Sequence, residues 1–291
     1  MISQRVWIAA LAGIAAPLSL LSTPAHAQAL PTPQALVPRL DLECYRTPGP
    51  TLDRDLMLTH LNPVLRELGL PQHKVTIKEL AQTCVPVQKG DQPIGPAKPF
   101  IRHIDFACFR VEADPFPNEI PINLTHLNPM LANLPQHTVY LQRPSQLCLP
   151  VAKNGQRPPP EVLALVQFLD LECYETRPLP HPAFAVGLTQ LNPQLDMIPP
   201  HPMNLDWQPR QLCVPVRKNA QFIPKDKLDI IKWIDLEKFA ANPVVQIAPV
   251  QVQLQQLNPL FVDLQWIPVV LKEAIALMVP VAKNGHMPGE D

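Results

Sequence analysis

The chain has 291 residues and a formal net charge of −1, with 24 basic residues against 25 acidic ones, which gives no basic excess for binding nucleic acid or anionic lipid. Proline accounts for 39 residues, and this excludes long helices because each interior proline costs a helix about 3 kcal/mol. The hydrophobic content of 46% nevertheless exceeds that of a disordered, proline-rich linker.

Residues 1–27 have the pattern of a secretory signal peptide. Arg5 precedes an apolar run, and Ala25-His26-Ala27 offers a cleavage site, so we expect cleavage after Ala27. A retained anchor helix is the less favoured alternative, because the apolar run is short and Pro17 interrupts it. We therefore predict a secreted or periplasmic protein with no membrane span after cleavage.

Four segments of the remaining chain repeat one pattern, which opens with a stretch such as "LDLECY" and closes with one such as "CVPV". A linker at 28–39 precedes them and a tail at 286–291 follows. The predicted repeats are residues 40–90, 104–155, 169–220 and 234–285. Proline-rich joins separate them, and the apolar runs in the last two joins, "EVLALV" and "LDIIKW", are predicted to form short helices or extended arms.

Alternation of apolar and polar residues predicts strands within each repeat. Leu40, Leu42 and Cys44 share one face of the first strand, and similar alternation recurs three more times before the repeat ends. Each Leu-Asn-Pro predicts a short helical turn, because asparagine caps helices and proline suits their first position. Proline within the closing strand predicts an edge or bulged strand. The predicted fold is all-β, a tandem array of four small modules with about four short strands each.

The cysteines follow the repeat. Six cysteines allow 15 pairings, but the repeat favours one bridge within each of the first three segments. The predicted bridges are Cys44–Cys84, Cys108–Cys148 and Cys173–Cys213, each 40 residues apart. Lys238 and Met278 occupy the two cysteine positions of the fourth segment. We expect these two residues to lie together, with the lysine charge in water and the Cα atoms of the bridged cysteines about 4.4–6.8 Å apart.

An aspartate and a lysine also recur in every segment. The pairs are Asp41 and Lys89, Asp105 and Lys153, Asp170 and Lys218, and Asp235 and Lys283. If the first and last strands of a segment are antiparallel neighbours with the cysteines opposite each other, Asp41 faces Val87 and lies diagonally from Lys89. We interpret the pairs as strand-edge ion pairs of the kind common on protein surfaces, or the lysines as edge residues that discourage aggregation. A pair that is exposed is worth about 0–1 kcal/mol. A row of ligand contacts is the alternative.

The motifs "LDLECY" and "QLCVPVRKN" resemble the repeats of a family of secreted bacterial proteins, which open with a strand ending in Cys-Tyr and close with "LCxPVxKN". The resemblance covers residues 40–285. It implies an exported, repeated β domain with one disulfide per unit. The family has no assigned activity, so the resemblance implies no chemistry. The fourth segment departs from the pattern at Lys238 and Met278.

Motifs for catalysis are missing from the sequence. Only Ser145 remains as a serine after residue 27, and no nucleophile elbow, phosphate-binding loop or HExxH motif occurs. His60 and His126 occupy one repeat position, and His73 and His137 another. Metal binding is one interpretation of these histidines. We favour structural roles and expect no metal and no cofactor, because duplication alone explains the recurrence.

The sequence thus predicts an exported, non-enzymatic structural or interaction protein. The alternative is a module that binds carbohydrate or the cell envelope, and a hydrolase that uses carboxylates ranks lower. The expected partner is a cell-envelope protein or a glycan, although an aromatic content of 5% is low for stacking against sugars.

Overall fold

The computed structural model describes residues 29–70, 72–131, 134–177 and 183–290, and for 207–210 only the backbone. The predicted signal peptide lies outside these residues. The predicted all-β class is confirmed, because the described chain forms one large antiparallel sheet with a few short helices. The strands are β1 (Asp41–Arg46), β2 (Thr51–His60), β3 (His73–Lys89), β4 (Phe106–Glu112), β5 (Ile120–His126), β6 (His137–Lys153), β7 (Asp170–Arg177), β8 (Phe184–Gln190), β9 (His201–Lys218), β10 (Leu236–Gln256) and β11 (Ile267–Lys283).

Eight of these strands close into a ring. Around it, the order is β1, β3, β4, β6, β7, β9, β10 and β11, and β11 pairs again with β1. Every pairing is antiparallel. The expected array of separate modules is therefore not seen, because strands of different segments share one ladder. The count of four repeats stays an interpretation of the sequence.

Three further pairings, β2 with β3, β5 with β6 and β8 with β9, lie within one segment, and four others join segments that are not neighbours in the chain. β2 pairs with the end of β9, and β8 pairs with the end of β3. In the same way, β5 pairs with the end of β11, and the second half of β10 pairs with the end of β6. The first and third segments, and likewise the second and fourth, are thus interleaved.

The third and fourth strands expected in each segment are continuous, as in the 17-residue β3. Pro86 does not lie at an edge, because β3 is paired on both sides. On one of these sides, the ladder to β4 ends at Cys84 and the ladder to β8 begins at Val87. Pro86 lies at this change of partner, where a residue without an N–H group costs no ladder hydrogen bond.

The predicted helical turns follow each Leu-Asn-Pro. They are α2 (Pro63–Glu67) and three 3₁₀ turns, Pro129–Leu131, Pro193–Leu195 and Pro259–Phe261. The Oδ1 atom of each preceding asparagine accepts a hydrogen bond from a backbone N–H of the turn. This is the capping role expected of asparagine.

The joins between the segments form short helices. These are α3 (Lys98–Ile101), which follows a 3₁₀ turn at Gly95–Ala97, α4 (Pro160–Val166) and α5 (Lys225–Ile231). The predicted linker at 28–39 is also folded, as α1 (Pro33–Leu36) and a 3₁₀ turn at Val37–Arg39. Leu36 and Val37 are fully buried, which explains why this segment is ordered.

The core has two faces. Buried residues of the helices, such as Phe100 and Ile230, pack in one cluster with all six cysteines and Met278. This cluster fills the inside of the ring and closes it at the end where the helices lie. The opposite face of the ring is buried beneath the interleaved strands, with Tyr45, Phe109 and Phe239 in a second cluster.

Candidate functional site

The three cysteine pairs lie inside the ring. Cys44–Cys84, Cys108–Cys148 and Cys173–Cys213 have S–S distances of 2.05, 2.01 and 2.03 Å. Their Cα atoms are 3.9–4.0 Å apart, closer than the range expected from the sequence. The two members of each pair face each other directly across adjacent antiparallel strands, where side chains approach most closely.

The recurrent aspartates and lysines form four ion pairs, but the expectation that they are exposed is wrong. Lys89 Nζ lies 2.8 Å from Asp41 Oδ1, and Asp41 faces Val87 across the antiparallel ladder. The other pairs are Lys153–Asp105, Lys218–Asp170 and Lys283–Asp235. No side chain among the eight is more than 4% exposed, because the interleaved strands cover this face.

Burial perturbs both partners of each pair. In the first pair, loss of water raises the pKa of Asp41, and Lys89 and Asn128 partly offset this effect. Loss of water likewise lowers the pKa of Lys89, and Asp41 partly offsets it. Each charged group thus has an oppositely charged partner and is buried away from solvent. This argues against the alternative of a row of ligand contacts.

Asparagines of the helical turns tie each ion pair to a different segment. Asn128 Nδ2 donates to Asp41 Oδ2 over 2.7 Å, and Asn192 Nδ2 donates to Asp105 Oδ2 over 2.9 Å. Asn258 and Asn62 make the equivalent contacts with Asp170 and Asp235, at 3.0 and 2.8 Å. The contact of Asn62 with Asp235 joins the first segment to the last and completes the circle.

Lys238 breaks the pattern inside the ring. Its Cα faces that of Met278, as each cysteine faces its partner. The expectation that the lysine charge reaches water is wrong, because Lys238 is only 7% exposed. Its ammonium donates to Gln82 Oε1 at 2.8 Å and to Gln211 Oε1 at 2.9 Å. Burial lowers the pKa of Lys238 to about 7.

The two glutamines belong to a polar layer across the ring. Gln82, Gln146 and Gln211 each stand two residues before the second cysteine of their segment. Gln82 Nε2 donates to Gln146 Oε1 over 2.8 Å, and Gln211 Nε2 donates to Ser145 Oγ over 2.8 Å. The amide oxygens are thereby directed to the ammonium, and no described carboxylate forms an ion pair with it.

A cavity of about 440 Å³ adjoins Lys238. It lies toward the end of the ring opposite the helices. Its lining residues are Gln142, Glu175, Thr176, Gln211, Lys238, Ala240, Ile275 and Ala276.

Two alanines account for the cavity in the fourth segment. Ala276 stands where the other segments carry Gln82, Gln146 and Gln211, and Ala240 stands where they carry Arg46, Arg110 and Glu175. The two short side chains leave room that long ones fill elsewhere. The two alanines, the buried lysine and the missing disulfide therefore all belong to the fourth segment, which lines the cavity together with residues of the second and third segments.

Glu175 is the one carboxylate among the lining residues. It forms a bidentate pair with Arg143, with N–O distances of 2.8 and 3.0 Å. The charge of Glu175 is therefore met by Arg143, whereas the described residues offer Lys238 only neutral partners.

Clusters of carboxylate and histidine lie on the outer face of the ring. In the first, Glu172 meets His60 and His73, and in the second, Glu237 meets His126 and His137. In the third, Glu43 meets Gln190 and His201. The ligand atoms of each of the first two clusters lie within 4.8 Å of one another, which would allow them to hold a metal ion.

The fourth equivalent position is apolar. Ala107, Phe109 and Ile267 stand where the third cluster has Glu43, Tyr45 and His201, and all three are buried in the second hydrophobic cluster. Carboxylate and histidine are thus replaced together, which indicates that each cluster acts as one unit. Burial lowers the pKa of His126 to about 3 and raises the pKa of Glu237.

Sequence reasoning identified the histidines and Lys238 but missed Glu43, Glu172, Glu237 and the glutamine layer. The glutamates recur one residue before the first cysteine position in three segments, and this signal was available. The contacts of these residues could not be predicted from the sequence, because they join segments that are distant in the chain.

None of the described helices has the length and apolar character needed to cross a membrane. No family model matches the chain, and comparison with curated proteins and with solved structures found no significant similarity. The resemblance to secreted bacterial repeats therefore stays an expectation from the motifs.

Proposed function

We propose that the chain is an exported, non-enzymatic interaction protein that binds a small acidic ligand in the cavity beside Lys238. The sequence named a glycan as one expected partner, and an acidic sugar of the cell envelope is the kind of glycan that fits this site. The observation that carries the proposal is the environment of Lys238, a buried cation that lines a cavity and contacts neutral amides.

Charge supports an acidic ligand. Burying an ammonium group is costly unless it is paired, and hydrogen bonds to amide oxygens replace only part of its hydration. A ligand carboxylate within reach of Lys238 would supply the missing negative charge. The attraction between the carboxylate and the ammonium group is stronger in a buried site than in water.

The lining supports a ligand with hydroxyl groups. Gln142, Thr176 and Gln211 offer amide and hydroxyl groups, while Ile275 and the two alanines offer apolar surface. A volume of about 440 Å³ lies within the range of small-molecule sites. The amides and the hydroxyl suit the hydroxyls of a sugar ring, and the apolar residues suit its C–H face.

Export is proposed from the sequence pattern at residues 1–27 and is supported by the three disulfides. Disulfides persist in oxidising compartments such as the periplasm and the cell exterior. The ring and its buried ion pairs then serve as the scaffold that holds the cavity.

Calorimetric titration of the mature protein with glucuronate and glucose tests the proposal, because these sugars differ by a carboxylate. We expect glucuronate to bind and glucose to bind at least tenfold more weakly. Lys238→Met should weaken glucuronate binding at least tenfold by removing the charge. Ala276→Gln should also weaken glucuronate binding at least tenfold, because it places in the cavity the glutamine that the other segments carry at this position.

Lys98→Met is the matched control, since it removes one positive charge from an exposed position on α3. It should leave glucuronate binding unchanged. Equal affinity for the two sugars would contradict the proposal. Unchanged glucuronate affinity in both Lys238→Met and Ala276→Gln would contradict it as well.

A second candidate function follows from the lysine itself. A lysine with a pKa of about 7 that lines a cavity is suited to forming an imine with a carbonyl compound. Its amine would attack the carbonyl carbon and the adduct would lose water. Added borohydride would reduce that imine to a stable secondary amine. Mass spectrometry after treatment with an aldehyde and borohydride would find the adduct on Lys238 if this candidate holds.

A further inference from the structure

Two of the outer clusters are built alike but differ at one aromatic residue. The first contains Glu172, His60 and His73, and the second contains Glu237, His126 and His137. The aromatic residue two positions after the glutamate is Tyr174 in the first cluster and Phe239 in the second. Each aromatic ring lies beside the first histidine of its cluster, with centroids 5.8 and 6.0 Å apart.

In the first cluster, the tyrosine hydroxyl lies between the carboxylate and a histidine. Tyr174 donates a hydrogen bond of 2.6 Å to Glu172 Oε2, and its oxygen lies 3.1 Å from His60 Nε2. Glu172 Oε1 is 2.7 Å from His73 Nε2. Both carboxylate oxygens therefore have partners within the protein.

In the second cluster, the equivalent residue is Phe239, which has no hydroxyl group between the carboxylate and the first histidine. Glu237 Oε1 is 2.7 Å from His137 Nε2, as in the first cluster. Glu237 Oε2 lies 3.7 Å from His126 Nε2, beyond hydrogen-bond distance. This buried oxygen has no hydrogen-bond partner among the described residues. A buried carboxylate oxygen in this condition costs free energy unless something else contacts it.

We propose that His126, His137 and Glu237 bind one divalent transition-metal ion, of which Zn²⁺ is the best match. Two imidazole nitrogens and a carboxylate are a common zinc ligand set, with bonds of about 2.0–2.2 Å. Tetrahedral bonds of that length hold ligand atoms about 3.3–3.5 Å apart. The 3.7 Å between His126 Nε2 and Glu237 Oε2 is close to this spacing.

The ion takes the place that the Tyr174 hydroxyl takes in the first cluster. It satisfies Glu237 Oε2 and joins the fourth segment, which supplies the glutamate, to the second, which supplies the histidines. The sequence interpretation assigned structural roles to all four histidines. The metal proposal retains that role for His60 and His73 and changes it for His126 and His137.

Zinc content and the effect of zinc on unfolding test the proposal. Purified protein is stripped with a chelator, incubated with Zn²⁺, desalted and analysed for zinc by mass spectrometry. Unmodified protein should retain about one zinc per chain, and zinc should raise its melting temperature, because an ion that binds only the folded state stabilises that state.

Two conservative variants exchange the aromatic residues. In Phe239→Tyr, the new hydroxyl should donate a hydrogen bond to Glu237, as the Tyr174 hydroxyl donates to Glu172. This variant should keep the fold and lower the zinc affinity at least tenfold. Tyr174→Phe should raise the zinc content from about one to about two per chain. Glu237→Gln should abolish binding at the site.

Absence of bound zinc in unmodified protein, or equal zinc affinity in Phe239→Tyr, would overturn the proposal. Zinc content that stays at one in Tyr174→Phe would overturn the assignment of the hydroxyl as the group that excludes the ion. If zinc-free Phe239→Tyr has the same melting temperature as zinc-free unmodified protein, a loss of zinc binding in this variant is due to the site and not to a change of fold.

Discussion

Asn128 caps the helical turn after β5 and also donates a hydrogen bond of 2.7 Å to Asp41, 87 residues earlier. The same aspartate faces Lys89 within its own segment. One buried carboxylate thus holds a contact within a segment and a contact between segments. Four such arrangements recur around the ring, which makes the ion pairs part of its closure.

Removing one partner of a buried ion pair should be strongly destabilising. We expect Asp41→Asn to lower the free energy of unfolding by about 3–5 kcal/mol, because the Lys89 ammonium is left buried without its counter-charge. Urea unfolding followed by circular dichroism measures the change.

Replacing both partners by leucine, in Asp41→Leu with Lys89→Leu, is the control. The double variant should cost less than Asp41→Asn, since no charge remains buried. A double variant that is less stable than the single one would contradict the view that uncompensated charge dominates the cost.

Restoring the fourth disulfide should succeed. In Lys238→Cys with Met278→Cys, the two cysteines face each other as the native pairs do. The bridge would close a 40-residue separation, for which chain entropy predicts about 4 kcal/mol of stabilisation. Thiol titration and thermal melting measure the result. A protein that keeps both thiols under oxidising conditions would show that the fourth segment differs from the others in geometry.

The buried lysine should make stability depend on pH in a defined direction. The folded-state pKa of Lys238 is about 7, below the ordinary lysine value of 10.5. Between these values the unfolded chain binds one more proton at this site, so stability rises with pH across this range. Below about pH 7 the lysine is charged in both states and contributes no slope.

Comparison with Lys238→Met isolates this contribution. The stability of unmodified protein relative to this variant should rise between about pH 7 and 10, by at most about 1.4 kcal/mol per pH unit. The other buried lysines are common to both proteins and cancel. Parallel stability curves in that range would contradict a depressed lysine pKa.

The relationships within each segment follow from the sequence, whereas those between segments do not. The predicted bridge, on antiparallel neighbouring strands, set Cys44 opposite Cys84, and that register placed Asp41 opposite Val87 and near Lys89. No local pattern indicates that β8 pairs with β3, because strand order depends on packing between distant segments. The burial of the ion pairs and the contact of Lys238 with Gln82 were missed for the same reason.

Pro86 gives a second example of this limit. Its residue type indicated a position without a ladder hydrogen bond on one side, which is the case. An exposed edge and a change of partner strand satisfy that requirement equally well, and only the tertiary arrangement distinguishes them.

Nuclear magnetic resonance of the Lys238 side chain tests the central claim most directly. A pH titration of protein with labelled lysine, with and without glucuronate, reports the pKa of this amine, and Lys238→Met assigns its signal. We predict a pKa of about 7 in the free protein and a higher value with glucuronate, because the ligand carboxylate stabilises the charged form. A pKa near 10.5 in the free protein, or one that glucuronate does not change, would contradict a site built around this lysine.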